Sequence, residues 1–121
     1  MLITLLAISA WQPCPAPRAI DGDGIACGSV RLRLAGIDAP ELGRCPRSRA
    51  CTPGDGAASK ASLAAALRFE PVRYRRLATD RYGRIVAAVE AGAVDLSCYQ
   101  IRRGWAVVRY DYQGHVRRTC G

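Results

Sequence analysis

Val30, Leu32 and Leu34 alternate with Arg31 and Arg33, the period-two pattern of a strand that buries its aliphatic side chains and turns both guanidinium groups outward. Arg18 to Ile20, Ile25 to Cys27 and Val30 to Ile37 read as three strands. The Asp21-Gly22-Asp23-Gly24 and Gly28-Ser29 turns between them are too tight for anything but an antiparallel meander. Ala57 to Leu67 is alanine-rich, with Leu63 and Leu67 one turn apart, which predicts a short amphipathic helix. Val72 to Leu77 and Arg84 to Val89 read as strands joined by Asp80-Arg81-Tyr82-Gly83. Asp95 is placed to cap a helix over Leu96 to Arg103 that stops at Gly104, and Trp105 to Arg109 reads as a last strand. Three strands, a helix, two strands and a helix fit a small Greek-key barrel with helical additions better than a βαβ layout.

Between these elements, Gly43 to Gly56 is rich in Gly, Pro, Ser and Arg and reads as a long loop. Met1 to Ala10 is almost wholly apolar and runs into a Trp-Gln-Pro-Cys-Pro-Ala-Pro stretch that cannot continue a helix. Residues 1–15 are therefore expected to be a signal peptide or N-terminal leader, and 16–121 the domain. This apolar stretch falls short of the roughly 20 residues a membrane-spanning helix needs, and no membrane partner is expected.

With 121 residues, half of them hydrophobic, the chain is sized for one core. Its formal charge of +8 is carried by arginine, since Lys60 is its one lysine, and a polyanion is the natural partner. Cys14, Cys27, Cys45, Cys51, Cys98 and Cys120 show no C-x-x-C spacing, and His115 alone cannot complete a usual zinc set. The even count points to three disulfides and an oxidising compartment, secreted or periplasmic. Six cysteines allow about 15 pairings. The favoured set is Cys45 with Cys51 as a loop clip, Cys14 with Cys27 across the first hairpin, and Cys98 with Cys120 holding the tail to the second helix.

Four carboxylates and two arginines change the picture from binding to chemistry: Asp21, Asp23, Asp38, Glu41, Arg33 and Arg84. Phosphodiester hydrolysis needs negative charge neutralised on phosphoryl oxygens, a positioned water and a group to take its proton. Asp23 and Asp38 can offer hard oxygen ligands to calcium; Arg33 and Arg84 can grip phosphate with planar forks; Glu41 can orient the water.

Ile20-Asp21-Gly22-Asp23, Arg33-Leu34-Ala35-Gly36-Ile37-Asp38-Ala39-Pro40-Glu41, Thr79-Asp80-Arg81-Tyr82-Gly83-Arg84 and Arg103-Gly104-Trp105-Ala106, in this order, closely resemble the staphylococcal nuclease family over residues 18–112. The resemblance implies a five-stranded OB-fold with two short helices and a calcium-dependent nuclease of DNA or RNA with little sequence preference. It implies that Asp23, Asp38 and the backbone carbonyl of Ala39 bind calcium, that Asp21 stands just outside them, and that Arg33, Glu41 and Arg84 are catalytic. Arg81, Tyr82, Tyr110 and Tyr112 fall where the family contacts nucleotide, and aromatic stacking is tolerant of base identity. Gly24 departs from the family's usual hydroxyl residue, and the family's C-terminal helix is expected to be shortened or absent. A monomer is expected. The alternative is a catalytically silent OB-fold module that binds nucleic acid without cutting it.

Overall fold

The computed structural model describes residues 10–121. Its strands are β1 (Gln12–Pro13), β2 (Pro17–Ala19), β3 (Gly24–Cys27), β4 (Val30–Leu34), β5 (Ile37–Asp38), β6 (Val72–Thr79), β7 (Ile85–Ala91), β8 (Val94–Asp95) and β9 (Val107–Val108). The α-helices are α1 (Gly56–Ala66), α2 (Leu96–Arg102) and α3 (His115–Thr119).

The expected meander forms, β2, β3 and β4 pairing antiparallel. β4 then runs parallel to β7, which pairs antiparallel with β6, and β1 and β8 complete a sheet in the order β1-β6-β7-β4-β3-β2 with β8 beside β7. A bulge between Arg76 and Ala78 shifts the β6–β7 register, the device that bends a strand and lets a sheet curl on itself. β5 and β9 form a separate antiparallel pair across the mouth. The result is a curled, OB-fold half-barrel.

Inside the curl, Ile25, Leu32, Leu34, Ile37 and Val89 are buried with Leu63 of α1 and Leu96 of α2. Burial of such side chains is the main favourable contribution to folding, about 1.5–3 kcal/mol each. Each of the first two helices starts on an aspartate. Asp55 Oδ1 accepts from Ala58 N–H and Asp95 Oδ1 from Cys98 N–H, satisfying amides that have no partner inside the helix.

Three expectations are corrected. The strand read as Val30 to Ile37 is broken at Ala35-Gly36. Gly36 has φ +79°, and a Cβ there would lie 2.5 Å from both Asp111 Oδ1 and Val116 Cγ2, so the chain turns and restarts as β5. The last strand keeps only Val107–Val108 of Trp105 to Arg109. A third helix, α3, adds to the two expected.

The disulfides are Cys14–Cys27, Cys45–Cys51 and Cys98–Cys120, the favoured pairing, and no free cysteine occurs among the described residues. Cys120 thereby fastens the end of α3 to α2. The boundary expected between residues 15 and 16 falls within a packed segment: Gln12 and Pro13 pair with Tyr74 and Arg73, and Cys14 is buried. Residues 1–9 of the expected leader lie outside the described residues. No described helix is long and apolar enough to cross a membrane.

Candidate active site

Three neighbouring stretches of backbone build the site. The Asp21–Asp23 turn leads into β3, β4 carries Arg33 opposite Gly24, and β5 carries Asp38. The turn is fastened from below by Gln100 of α2, whose buried Nε2 donates to Gly22 O at 2.8 Å and Ser59 O at 2.9 Å, while its Oε1 accepts from Ser62 Oγ at 2.7 Å. Ser59 Oγ in turn donates to Trp105 O at 2.8 Å. A fully paired buried network of this kind fixes one geometry, because breaking any member leaves a desolvated polar group behind.

Asp23 is buried, and its Oδ2 accepts from Ala39 N–H at 2.8 Å, which ties the first turn to the segment after β5. Burial, and then the negative charge of Asp21 beside it, push the Asp23 carboxyl up to about 7. A Cβ on Gly24 would stand 2.8 Å from Asp21 Oδ1, so the missing hydroxyl residue leaves room for Asp21 to lean in.

Asp38 is the other buried acid. Its carboxylate accepts from Arg33 Nη2 at 3.2 Å, Arg49 Nη2 at 3.0 and 3.2 Å, Thr52 Oγ1 at 2.7 Å and Arg109 Nη1 at 3.4 Å. Burial pushes its carboxyl up, but the hydrogen bonds from Thr52, Arg49 and Arg33 outweigh burial and hold it below the ordinary aspartate value. Arg33 does not point out into solvent as its strand alternation predicts. Its side chain is 12% exposed and also donates to Ile37 O at 3.1 Å, because β5 folds back over that face of β4.

Glu41 follows directly. It is half-buried, and its Oε1 lies 3.1 Å from Arg49 Nη1. Its backbone rests on the start of α1: a Cβ on Gly56 would come 2.1 Å from Glu41 O, so glycine is required for the two segments to meet.

Arg84 is set by Asp80. One Asp80 oxygen accepts the backbone N–H groups of Tyr82 and Arg84, each at 2.9 Å, and the other accepts Arg84 Nε at 2.7 Å. Burial acts to raise the Asp80 carboxyl, but the Arg84 and Tyr82 hydrogen bonds prevail and hold it low. For a depressed carboxyl, the associated stability is present above the ordinary aspartate range near pH 4 and is lost as pH falls through the lower folded value. Asp80→Asn is expected to leave the fold intact, remove this acid-sensitive contribution, and loosen Arg84. In a cleavage assay it should lower turnover about tenfold; turnover equal to wild type would show that Arg84 needs no such guide.

Arg33, Arg49, Asp80 and Arg84 line a cleft of about 350 Å³ together with Arg81, Tyr82, Arg109, Tyr110 and Tyr112, whereas Asp23, Asp38 and Glu41 are not part of its lining; Asp38 joins it through Arg33, Arg49 and Arg109. Every expected nucleotide-contacting residue is in this lining. Tyr82 and Tyr110 are 69% and 62% exposed, with the Arg81 and Arg84 guanidiniums 5.1 and 5.5 Å from the Tyr82 ring and that of Arg109 5.1 Å from Tyr110. Arginines held against aromatic faces form a surface suited to phosphates and stacked bases.

The donor set behind the cleft has the chemistry that a hard divalent cation takes, although both Asp38 oxygens are occupied by Arg33, Arg49, Thr52 and Arg109. Asp23 and Asp38 are buried carboxylates on adjoining segments, and Asp23 has a like-charged neighbour whose repulsion a cation would relieve. These acids do not form a tight cluster by themselves. Among the described residues, three potential donor side chains come within 4.8 Å of one another only at Asp95, Cys98 and Cys120, where the sulfurs are already joined.

Residues 31–119 match the family described as staphylococcal nuclease homologues. The chain belongs to the staphylococcal nuclease family. The matched span holds Arg33, Asp38, Glu41 and Arg84, and stops short of the Asp21–Asp23 turn. A relative from Haemophilus influenzae, named an uncharacterized endonuclease, is 31% identical over 121 aligned residues, which take in 93% of this chain and 63% of the relative. This staphylococcal nuclease homologue thus spans less than two thirds of that protein's length.

Arg49, Thr52, Asp80, Arg109 and Gln100 escaped the reading of the sequence as site residues. Asp80 lay inside a quoted motif, where its turn position was a usable signal. Nothing in spacing reveals the others: Arg49 and Thr52 reach Asp38 from the irregular loop that follows it, and Arg109 and Gln100 reach Asp38 and Gly22 from far along the chain.

Proposed function

We propose that this chain is a calcium-dependent nuclease that hydrolyses phosphodiester bonds of DNA or RNA with little sequence preference. The observation that carries the reading is that Arg33 and Arg84 line one cleft with two exposed tyrosines, and that the buried Asp38 is bonded to Arg33 behind that lining. Family membership and the endonuclease name of the relative support it.

Asp23, Asp38 and the Ala39 carbonyl would hold calcium, which when bound supplies positive charge at the scissile phosphate. Tyr82 and Tyr110 take bases or sugars on their faces and guide the strand into the cleft. Arg33 and Arg84 grip non-bridging phosphate oxygens, and their hold tightens as charge builds there. Glu41 orients a water and accepts its proton; the hydroxyl bonds to phosphorus, the P–O ester bond breaks, the departing oxygen takes a proton from solvent water, and Glu41 returns its own to solvent. The tyrosines read no base edge, so discrimination among sequences is slight.

Three disulfides suit an oxidising, extracytoplasmic site of action. A leader, if removed, would be cut ahead of Trp11, since Gln12–Pro13 and Cys14 belong to the barrel.

The test is digestion of plasmid and single-stranded DNA and of RNA with calcium, repeated with excess chelator. Cleavage with calcium and none with chelator is expected. A mobility shift without any cleavage would replace this reading with the silent OB-fold binding module.

A further inference from the structure

We propose that Arg49 is a built-in counter-cation of the Asp38–Glu41 pair, which a divalent cation must displace, so that this side chain adds its own coupling between metal and phosphate binding. The inference rests on the calcium site of the proposed function and adds the element that controls its filling.

A carboxylate has about four lone-pair positions. Those of Asp38 are taken: Oδ1 accepts from Arg33 and Arg49, and Oδ2 accepts from Arg49, Thr52 and Arg109. A cation can reach an Asp38 oxygen only when a donor leaves, and three guanidiniums already around that carboxylate oppose the arrival of further positive charge.

Arg49 is the donor free to go. Arg33 is 12% exposed and also holds Ile37 O, and Arg109 is anchored through Ala50 O at 2.9 Å. The Arg49 side chain is 36% exposed and its contacts go to the two acids themselves, 3.0 Å to Asp38 and 3.1 Å to Glu41. It therefore neutralises both the candidate ligand and the candidate base, the same two charges that calcium and the attacking water have to use. Its backbone belongs to the loop closed by Cys45–Cys51, which keeps the guanidinium within reach of the acids and of the cleft it already lines.

Released from Asp38, Arg49 has its donors free and a phosphate is the ligand they match best. A phosphate in the cleft draws Arg49 off the acids and opens Asp38 to the metal; metal on Asp38 drives Arg49 toward phosphate. Such coupling is reciprocal.

Calcium binding measured by calorimetry on the disulfide-bonded protein tests this, with and without a nucleoside 5′-monophosphate, for wild type, Arg49→Gln, Arg49→Lys and Asp38→Asn. Arg49→Gln is expected to bind calcium about tenfold more tightly than wild type and to gain severalfold less from the nucleotide than wild type does. Arg49→Lys, which keeps the charge, should stay near wild type. Arg49 lies on an exposed loop, and equal unfolding midpoints will certify the variants as folded. If wild type binds calcium through Asp38 but Arg49→Gln binds it no more tightly, the inference alone fails. If wild type binds no calcium, or binds it equally well after Asp38→Asn, the proposed metal site fails and takes the inference with it.

Discussion

Arg84→Ala and Arg33→Ala are each expected to lower turnover about a thousandfold while leaving the unfolding midpoint nearly unchanged, a loss of roughly 4 kcal/mol of transition-state stabilisation. For Arg84 the separation of activity from stability is clean. Its side chain is 44% exposed, it sits on the Asp80–Arg84 turn beyond the core, and its partner Asp80 retains the backbone hydrogen bonds that shape the turn. Arg33 is more deeply placed, but three other groups remain on Asp38 once it is gone. Arg→Lys at either position keeps the charge and discards the planar fork, so it should recover only a small part of the activity. Digestion rates under saturating calcium, read beside thermal unfolding, decide the matter. Both alanine variants cutting at wild-type rate would remove these arginines from the chemistry and send the search to Arg81 and Arg109.

Reduction of the disulfides is expected to produce the largest loss of stability. Bridges spanning 13 and 22 residues, Cys14–Cys27 and Cys98–Cys120, contribute about 3 kcal/mol each when treated as constraints on the unfolded chain. A domain of this kind has a total margin of about 5–15 kcal/mol, so the two together are a large part of it. Cys98→Ser/Cys120→Ser should lower the unfolding free energy by about 3 kcal/mol and release the tail. Cys45→Ser/Cys51→Ser, which opens a span of only 6 residues on the surface, should cost less. Denaturant unfolding of the oxidised protein, the two double variants and the fully reduced chain gives the series. Coincident midpoints for oxidised and reduced protein would show that the bridges are ornaments on a core that suffices alone.

What could be read in advance follows from how local each signal is. The meander, α2 with its Asp95 cap, and the Asp80–Gly83 turn are written in residues within a few positions of one another, and they stand where the pattern puts them. Arg33 and Arg84 of the motifs line one cleft and Asp38 is bonded to Arg33, while Asp23 lies outside that lining, the roles of all four being a matter for the experiments above. The break at Gly36 is different, because its cause is crowding by Asp111 and Val116 from the far end of the chain. The outward direction inferred for Arg33 failed for the same reason: alternation tells which face a side chain leaves by, and not what later folds over that face. Gln100 shows the limit most clearly. Glutamine is mostly an exposed residue type, yet this one is fully buried and holds Gly22 from 78 residues away. Long-range polar pairing leaves no periodic trace.

The contact between Glu41 and Gly56 carries a practical corollary. The exposed run that follows Glu41 has its two ends pressed together, one stopped against the start of α1 and the other capped there by Asp55. Lengthening a run whose ends are already clamped is cheap, about 0.6 kcal/mol for each doubling. The excursion is thus a natural grafting point, where foreign sequence inserted near Arg49 would retune how the acids are charged while the barrel, Arg33 and Arg84 keep their places.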